Sequence, residues 1–572
     1  MPYRAPVDDY QFIFDHVVGL DQVSQTDRFS ETTPDLTNAI LAEAGRMCED
    51  VLHPLQRVGD QHPAHLENGI VRTPPGFSDG YKAIAAGGWV SINADPAHGG
   101  MGLPISLTAA VNEMISSACL SIQLNPLMTQ GQIEALEHHA SDEIKDTYLP
   151  KLVSGEWCGT MNLTEAQAGS DVGALHTKAD PNGDGTYAIT GQKIYISWGD
   201  NDFTENVCHL VLARLPDGPA GTKGISLFLV PKYIPDDNGQ PGQANSLSVV
   251  SLEHKMGLHG SPTCVMQYDG ATGWLIGKEH DGMRAMFTMM NNARLGVGGQ
   301  GIGVAEGAYQ HALAYGLDRK QGRTPVDGGS GAIVDHADVR RMLMTMKADT
   351  FAARSIGLAC AVAIDMETAT GTPEWAARAA FLTPIAKAFG TDTGIAVADL
   401  GVQVHGGMGY IEETGAAQYL RDVRVSAIYE GTNGIQAMDL VARKLSDGGE
   451  AAHALIDEIE AQAESARSTL PDLAEPVWQA SETLREGLDW MLAQSDLNQR
   501  FAGAVPFLRA FARVLGAHYH LAAALAEGGT GPRSTLARFY SARLLPEHEG
   551  LLAHATAGAD GLYALSPEEL SA

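Results

Sequence analysis

A mainly α-helical fold with one inserted β domain is what this sequence predicts, and three observations carry that reading. Residues from about 36 to 152, and again from about 282 to 445, keep a helical pattern with few interruptions. Between about 156 and 277 the texture changes to short β-branched or apolar runs set apart by turn clusters. After Ser446-Asp447-Gly448-Gly449, apolar residues return at helical spacing, with Leu484, Leu488, Met491 and Leu492 in one stripe and Leu508, Phe511 and Leu515 in another.

In chain order, residues 1–35 read as a polar N-terminal arm ending at Thr32-Thr33-Pro34-Asp35, a turn that starts a helix. An N-terminal helical domain is expected over 36–155, broken by the glycine-rich loop His98-Gly99-Gly100-Met101-Gly102. The β domain is expected over 156–280. Its strand candidates include Tyr187-Ala188-Ile189-Thr190, His209-Leu210-Val211-Leu212-Ala213 and Ile225-Ser226-Leu227-Phe228-Leu229-Val230, with a turn at Pro181-Asn182-Gly183-Asp184-Gly185. A helical bundle rich in alanine and methionine covers 281–445, and an additional helical domain covers 446–572. The two late stripes read as bundle core, with partner binding as the other reading. No period of 20 to 50 residues recurs, which excludes solenoids and propellers.

Composition narrows the function. The 572 residues suit three or four packed units of roughly 150 residues. With 44% hydrophobic and 19% charged residues the chain is globular, not disordered. A net charge of −31, with no basic run longer than two residues, argues against nucleic acid as a partner. No apolar run comes near the roughly 20 residues of a membrane helix. The opening Met1-Pro2-Tyr3-Arg4-Ala5-Pro6 stretch holds no apolar signal core. Six dispersed cysteines without a C-x-x-C pair fit a reduced, metal-free, cytoplasmic protein. His138-His139 and His518 with His520 lack the company of a zinc site and read as surface histidines.

One glycine fingerprint is present, Gly296-Val297-Gly298-Gly299-Gln300-Gly301. It follows the helical run Met283-Arg284-Ala285-Met286-Phe287-Thr288-Met289-Met290, so it reads as close helix packing and not as a dinucleotide loop. Two other segments can carry chemistry. Gly159-Thr160-Met161-Asn162-Leu163-Thr164-Glu165-Ala166-Gln167-Ala168-Gly169-Ser170-Asp171 combines small residues with hydroxyls. It suits a loop that binds a polar ring edge or a pyrophosphate, or it is a turn and no more. Ala427-Ile428-Tyr429-Glu430-Gly431-Thr432-Asn433-Gly434-Ile435-Gln436 sets a carboxylate between apolar residues and a turn. Glu430 there is either a partly desolvated general base or a helix-capping carboxylate.

Together these segments resemble the acyl-CoA dehydrogenase flavoprotein family over about residues 36–445. The resemblance rests on Leu163-Thr164-Glu165 with Ala168-Gly169-Ser170-Asp171, then Gly191-Gln192-Lys193-Ile194-Tyr195-Ile196-Ser197. It continues through Arg294, Asp318-Arg319-Lys320-Gln321, Gln403-Val404-His405-Gly406-Gly407-Met408-Gly409-Tyr410 and Tyr429-Glu430-Gly431-Thr432. It implies an N-terminal helical domain, a β-barrel-like middle domain and a C-terminal four-helix bundle, here followed by the extra helical domain. It also implies FAD as cofactor and no metal. Leu163, Thr164, Ser170, Tyr195 and Ser197 would line the flavin and its phosphates. Arg319 and Gln321 would reach the FAD of a neighbouring subunit, whose adenine end meets Gln403, Gly407 and Thr432, so the assembly would be at least a dimer. Ser170, Arg294 and Gly431 would meet the acyl-CoA substrate, and Glu430 would be the catalytic base.

Three departures stand out: Tyr195 where the family usually has tryptophan, Gly322-Arg323 where a phenylalanine follows the glutamine, and Gly434 in place of a polar side chain. The resemblance further implies α,β-dehydrogenation of a thioester, with electrons passed to electron-transferring flavoprotein. The Tyr3-Arg4-Ala5-Pro6 lead-in, the stretch from Val334 to Leu343 and the tail after 446 resemble the longer bacterial subgroup. That subgroup includes a dehydrogenase of 3-(methylthio)propionyl-CoA, which acts in dimethylsulfoniopropionate breakdown, as well as general short- and medium-chain dehydrogenases. An acyl-CoA oxidase and a non-catalytic, nucleic-acid-associated relative are the rival readings. The charge of −31 and the retained Glu430 oppose the second.

Overall fold

The computed structural model describes residues 3–572. The helices that position the site and its supports are, in chain order, α1 (Val7–His16), α2 (Pro34–Met47), α3 (Ile105–His139), α4 (Gly282–Asp318), α5 (Ala337–Thr370), α6 (Pro373–His405), α7 (Asn433–Asp439), α8 (Glu450–Ala466), α9 (Pro471–Ala493) and α10 (Leu497–Ala526). The main strands are β1 (Trp157–Asn162), β2 (Lys178–Pro181), β3 (Tyr187–Ser197), β4 (Asn206–Arg214), β5 (Ile225–Pro231), β6 (Leu247–Leu252) and β7 (Thr263–Ile276). The chain forms two compact units, one mainly of Ala39–Gly296 and the other of Pro6–Asn38 with Val297–Ala572.

In the first unit, seven strands follow the order β6-β7-β3-β2-β4-β1, and β5 pairs with both β7 and β4, which gives the sheet its barrel-like closure. Its interior is apolar, with Ile189, Ile196, Val211, Phe228, Val230, Met266 and Tyr268 all buried. β1 lies at the end of the strand order, and α3 covers its backbone donors. The Gly159 N–H donates to Thr129 Oγ1 at 3.0 Å and the Thr160 N–H to Gln132 Oε1 at 3.0 Å. Contrary to the expectation from apolar runs, α3 has the length and mean hydropathy (1.3) of a membrane-crossing helix. Small polar residues interrupt its apolar run and hid that property. As 89% of that window is buried inside the protein, α3 is a core helix.

In the second unit, the arm expected at 1–35 contains a helix. α1 buries Tyr10, Ile13 and Phe14 on one face, and the Arg354 guanidinium sits 4.9 Å from the Tyr10 ring. Its acidic first turn, Asp8-Asp9, masked that pattern in the sequence. α2 begins at Pro34, as expected. The glycine fingerprint lies inside α4 and sets a close approach to α6. A Cβ at Gly298 would come 2.8 Å from Ala386 O, and one at Gly301 would come 2.3 Å from Gly390 O. That contact is helix packing, as the sequence indicated.

The stripes after residue 446 are core, with Leu492 half-buried at the edge of its stripe: Leu484, Leu488, Met491, Phe511 and Leu515 have no exposed surface, and Leu508 has almost none. α10 is tied to α5 by a buried ion pair between Arg513 and Asp349. His518 and His520 are buried, which corrects the surface reading. α10 is buried on the face that carries them, and His520 Nε2 meets Ala348 O at 3.1 Å. Burial pushes the His520 imidazole down to about 4, so it is neutral near pH 7. All six cysteines are buried and free.

Candidate active site

Two segments that the sequence singled out are fastened together in the β unit. Lys193, fully buried on β3, donates from Nζ to Leu163 O at 3.0 Å and to Glu165 Oε1 at 2.8 Å. Glu165 also accepts from the Thr177 N–H (3.0 Å) and Thr177 Oγ1 (2.6 Å), and from the His176 N–H (2.7 Å) and Gln167 Nε2 (2.8 Å). One step further, the Ile194 N–H donates to Thr164 O at 2.9 Å. The loop of Leu163 and Thr164 is thereby pinned to the strand of Tyr195 and Ser197. Behind it, a buried network holds the end of β1. Tyr268 OH donates to Asn162 Oδ1 (2.9 Å), Asn162 Nδ2 donates to Thr160 Oγ1 (2.9 Å), and Thr160 Oγ1 lies 2.7 Å from His209 Nδ1.

Burial opposes ionisation of Glu165, but the Lys193 ammonium and the converging donors outweigh it and hold the carboxyl at about 2. A carboxylate with a depressed native pKa contributes stability that is complete above its unfolded value of 4.5 and is lost as pH falls through about 2. The difference in urea midpoint between the wild type and Glu165→Gln is therefore expected to be constant from pH 7 to about 5 and to shrink below pH 4.5. A gap that does not change with acid would contradict this origin.

β3 also carries a bulge. Cys264 pairs with Ile196 but Met266 pairs with Lys193, so β3 holds one residue more than β7 opposite Val265. Tyr195 lies in that bulge at φ +61° and is 61% exposed, while the hydroxyl-bearing Ser197 is half-buried. Trp198 follows at φ +54°, fully buried, its Nε1–H donating to Ser121 O at 3.2 Å. Thr164 is half-buried and Ser170 exposed. Arg294, on α4, is 7% exposed, with Nη1 3.4 Å from Asn291 Oδ1.

In the helical unit, Glu430, Gly431 and Thr432 form one turn leading into α7. Glu430 has φ +55° and Gly431 φ +82°, and Thr432 caps α7 by accepting the Ile435 N–H at 3.2 Å. Among the described residues only six non-glycine positions have positive φ: Asn68, Tyr195, Trp198, Leu258, His280 and Glu430. Such residues cost about 1–3 kcal/mol each and gather at functional sites. Two of the six, Tyr195 and Glu430, fall in the segments chosen from sequence, and Trp198 directly follows one of them. Gln403 and Gly407 lie together and exposed at the end of α6. Arg319 and Gln321 are exposed just after α4, with Arg319 Nη2 3.4 Å from Gln321 Oε1.

Two supporting groups escaped the sequence reading. Lys193 stands in the sequence as one residue of the Gly191–Ser197 run, and its partner Glu165 lies too far away in sequence to be paired by spacing. Lys387 was overlooked, although a lone lysine in the apolar run Pro384-Ile385-Ala386-Lys387-Ala388-Phe389 is an indication of burial with a partner.

Comparison with known proteins adds family matches over nearly the whole chain. Residues 37–156 match the acyl-CoA dehydrogenase N-terminal domain, 160–271 its middle domain and 280–445 its C-terminal domain. Residues 455–566 match a domain described as acetyl-CoA dehydrogenase C-terminal like. A 3-methylmercaptopropionyl-CoA dehydrogenase of Ruegeria pomeroyi is 47% identical over 522 residues, covering 89% of this chain and 88% of that one. A butyryl-CoA dehydrogenase of Syntrophomonas wolfei is 36% identical over 420 residues, covering 70% and 68%. Among solved structures, Caenorhabditis elegans ACDH-11 in complex with C11-CoA superposes with a TM-score of 0.80 at 19% identity, over 98% of this chain and 96% of that one.

Proposed function

The chain belongs to the acyl-CoA dehydrogenase family and is an FAD-dependent oxidoreductase of acyl-CoA thioesters, and from that premise we propose 3-(methylthio)propionyl-CoA as its preferred substrate, oxidised to methylthioacryloyl-CoA. The observation that carries the choice is the 47% identity to the Ruegeria pomeroyi enzyme over almost the full length of both chains. The second reading, a general short- and medium-chain dehydrogenase, draws on the butyryl-CoA dehydrogenase relative. A thioether sulfur can lie where a methylene would, and a methylene-sized difference is worth only ~1–3 kcal/mol of discrimination. Butyryl-CoA should therefore also turn over.

The test is a panel of acyl-CoAs with an artificial electron acceptor. The expected result is the highest kcat/KM with 3-(methylthio)propionyl-CoA and measurable turnover of butyryl-CoA. Turnover confined to very long acyl chains would sink both readings.

The residues present suit a flavin. Hydroxyls at Thr164, Ser170 and Ser197 are neutral donors for ring edges and phosphates, and the exposed Tyr195 offers an aromatic face beside them in sequence. When bound, FAD accepts the β-hydrogen of the acyl chain as a hydride. We assign Glu430 the other half of the reaction: its carboxylate takes the α-proton as the Cα–Cβ double bond forms. An α-proton of a saturated thioester is too weakly acidic for a carboxylate in water. Backbone N–H groups at the Glu430 turn would therefore polarise the thioester carbonyl as negative charge develops there. Arg294, Ser170 and Gly431 are assigned to holding the substrate. Leu163, Gln403, Gly407 and Thr432 are assigned to the cofactor.

Arg319 and Gln321, exposed and adjacent, are proposed to reach the cofactor of a second copy, making the active form at least a dimer. Electron-transferring flavoprotein is the proposed acceptor and the cytoplasm the proposed location, both on family grounds.

A further inference from the structure

The turn that carries Glu430 is held from below by a charge. Lys387 of α6 has no exposed surface, and its ammonium donates to Gly431 O at 2.9 Å and to Asn433 Oδ1 at 2.9 Å. Asn433 in turn donates from Nδ2 to Asp392 Oδ1 (2.7 Å), Thr391 Oγ1 (3.0 Å) and Ala388 O (3.3 Å), so the lysine and the asparagine together bind the turn to a full turn and a half of α6. On the other side of Glu430, Tyr429 OH donates to Gln300 Oε1 of α4. The Glu430 carbonyl itself accepts from Gln436 Nε2 at 3.1 Å.

The residues flanking Glu430 are thus fastened to two different helices, and Glu430 between them sits at φ +55°, a conformation that a non-glycine residue keeps only when its surroundings impose it. Burying an ammonium is costly unless it is well hydrogen-bonded. Here the ammonium donates to two residues that lie within three positions of Glu430.

We propose that Lys387 is a positioning residue for Glu430, fixing the strained turn so that the carboxylate is presented in one orientation. Asn433 is the relay that ties the lysine to the rest of α6. This assignment rests on Glu430 being the base, and the two can fail separately.

The experiment measures anaerobic flavin reduction by acyl-CoA in holoenzymes of Lys387→Met, Lys387→Arg and Asn433→Ala. A ~1 Å misplacement of a reacting group can cost about 10²-fold. The limiting reduction rate is expected to fall about 10- to 100-fold in Lys387→Met, with flavin content and acyl-CoA dissociation constant unchanged. Lys387→Arg should recover part of the rate, and Asn433→Ala should show a smaller loss with the same signature. Asn433→Ala carries the test if Lys387→Met does not fold. A wild-type reduction rate in folded, flavin-loaded Asn433→Ala and Lys387→Met would overturn the proposal. So would rate losses that only track lost flavin or lost folded protein, because the network would then be structural support alone. If Glu430→Gln itself reduces normally, the assignment of the base has failed instead.

Discussion

Glu430→Gln is expected to remain folded, yellow and able to bind acyl-CoA, and to lose about 10²–10⁴-fold or more in the rate of anaerobic flavin reduction. Glutamine has the size and the backbone N–H of glutamate and meets the same left-handed strain at φ +55°, so the turn is retained. The contact from Gln436 goes to the backbone carbonyl, and Lys387 holds the next residue, so neither support depends on the carboxylate. What is lost is the group that accepts the α-proton. The nearby carboxylates are poor substitutes. Glu412 and Glu413 are exposed, and Glu412 is paired with Arg421 at 2.7 Å. Asp422 is 1% exposed on a helix and accepts from Gln418 Nε2 at 3.1 Å. Stopped-flow bleaching at the wild-type rate in Glu430→Gln, together with an inert Asp422→Asn, would move the base to Asp422.

The second large effect is on folding. Lys193→Met leaves the Glu165 carboxylate buried without its ammonium, and breaking a buried pair from one side typically costs 3–5 kcal/mol, roughly speaking. Because Lys193 also holds Leu163 O, the loop of Thr164 should loosen with it, and FAD should be released at lower urea than the global transition. The double variant Lys193→Met with Glu165→Gln removes the orphaned charge and should regain part of the loss. Flavin fluorescence and circular dichroism followed through the same urea series check both statements. A Lys193→Met protein within about 0.5 kcal/mol of wild type, the range of an ordinary surface change, would show that the pair does not hold the loop.

Much of this architecture was legible because its determinants are local. The strands at Tyr187, His209 and Ile225 and the helix start at Pro34 follow from β-branched runs and turn chemistry within a few residues. The stripe from Leu484 to Met491 follows from period alone. α1 was missed because two aspartates dilute a three-residue apolar face, and the burial of His518 and His520 because it depends on what packs against α10. The site shows the same division. Segments 163–171 and 429–432 stand out by composition, whereas the groups that hold them, Lys193 with Glu165 and Lys387 with Asn433, are joined across 28 and 46 residues. No window of local pattern reaches that far.

The extra residue in β3 has one more consequence. Before it, the inward positions are odd-numbered, Ile189 and Lys193; after it they are even, Ile196 and Trp198. The strand therefore changes parity in mid-course, and the exposed Tyr195 stands at the changeover. Deleting Tyr195 would make the strand regular and leave Lys193, Ile196 and Trp198 all facing inward, so the extra residue adds an exposed position without altering which of its neighbours are buried. The bulge is thus a mount set into the strand: substitutions at Tyr195 change what is presented to the outside, and its removal would take the presented ring away while the buried face of the strand stays as it is.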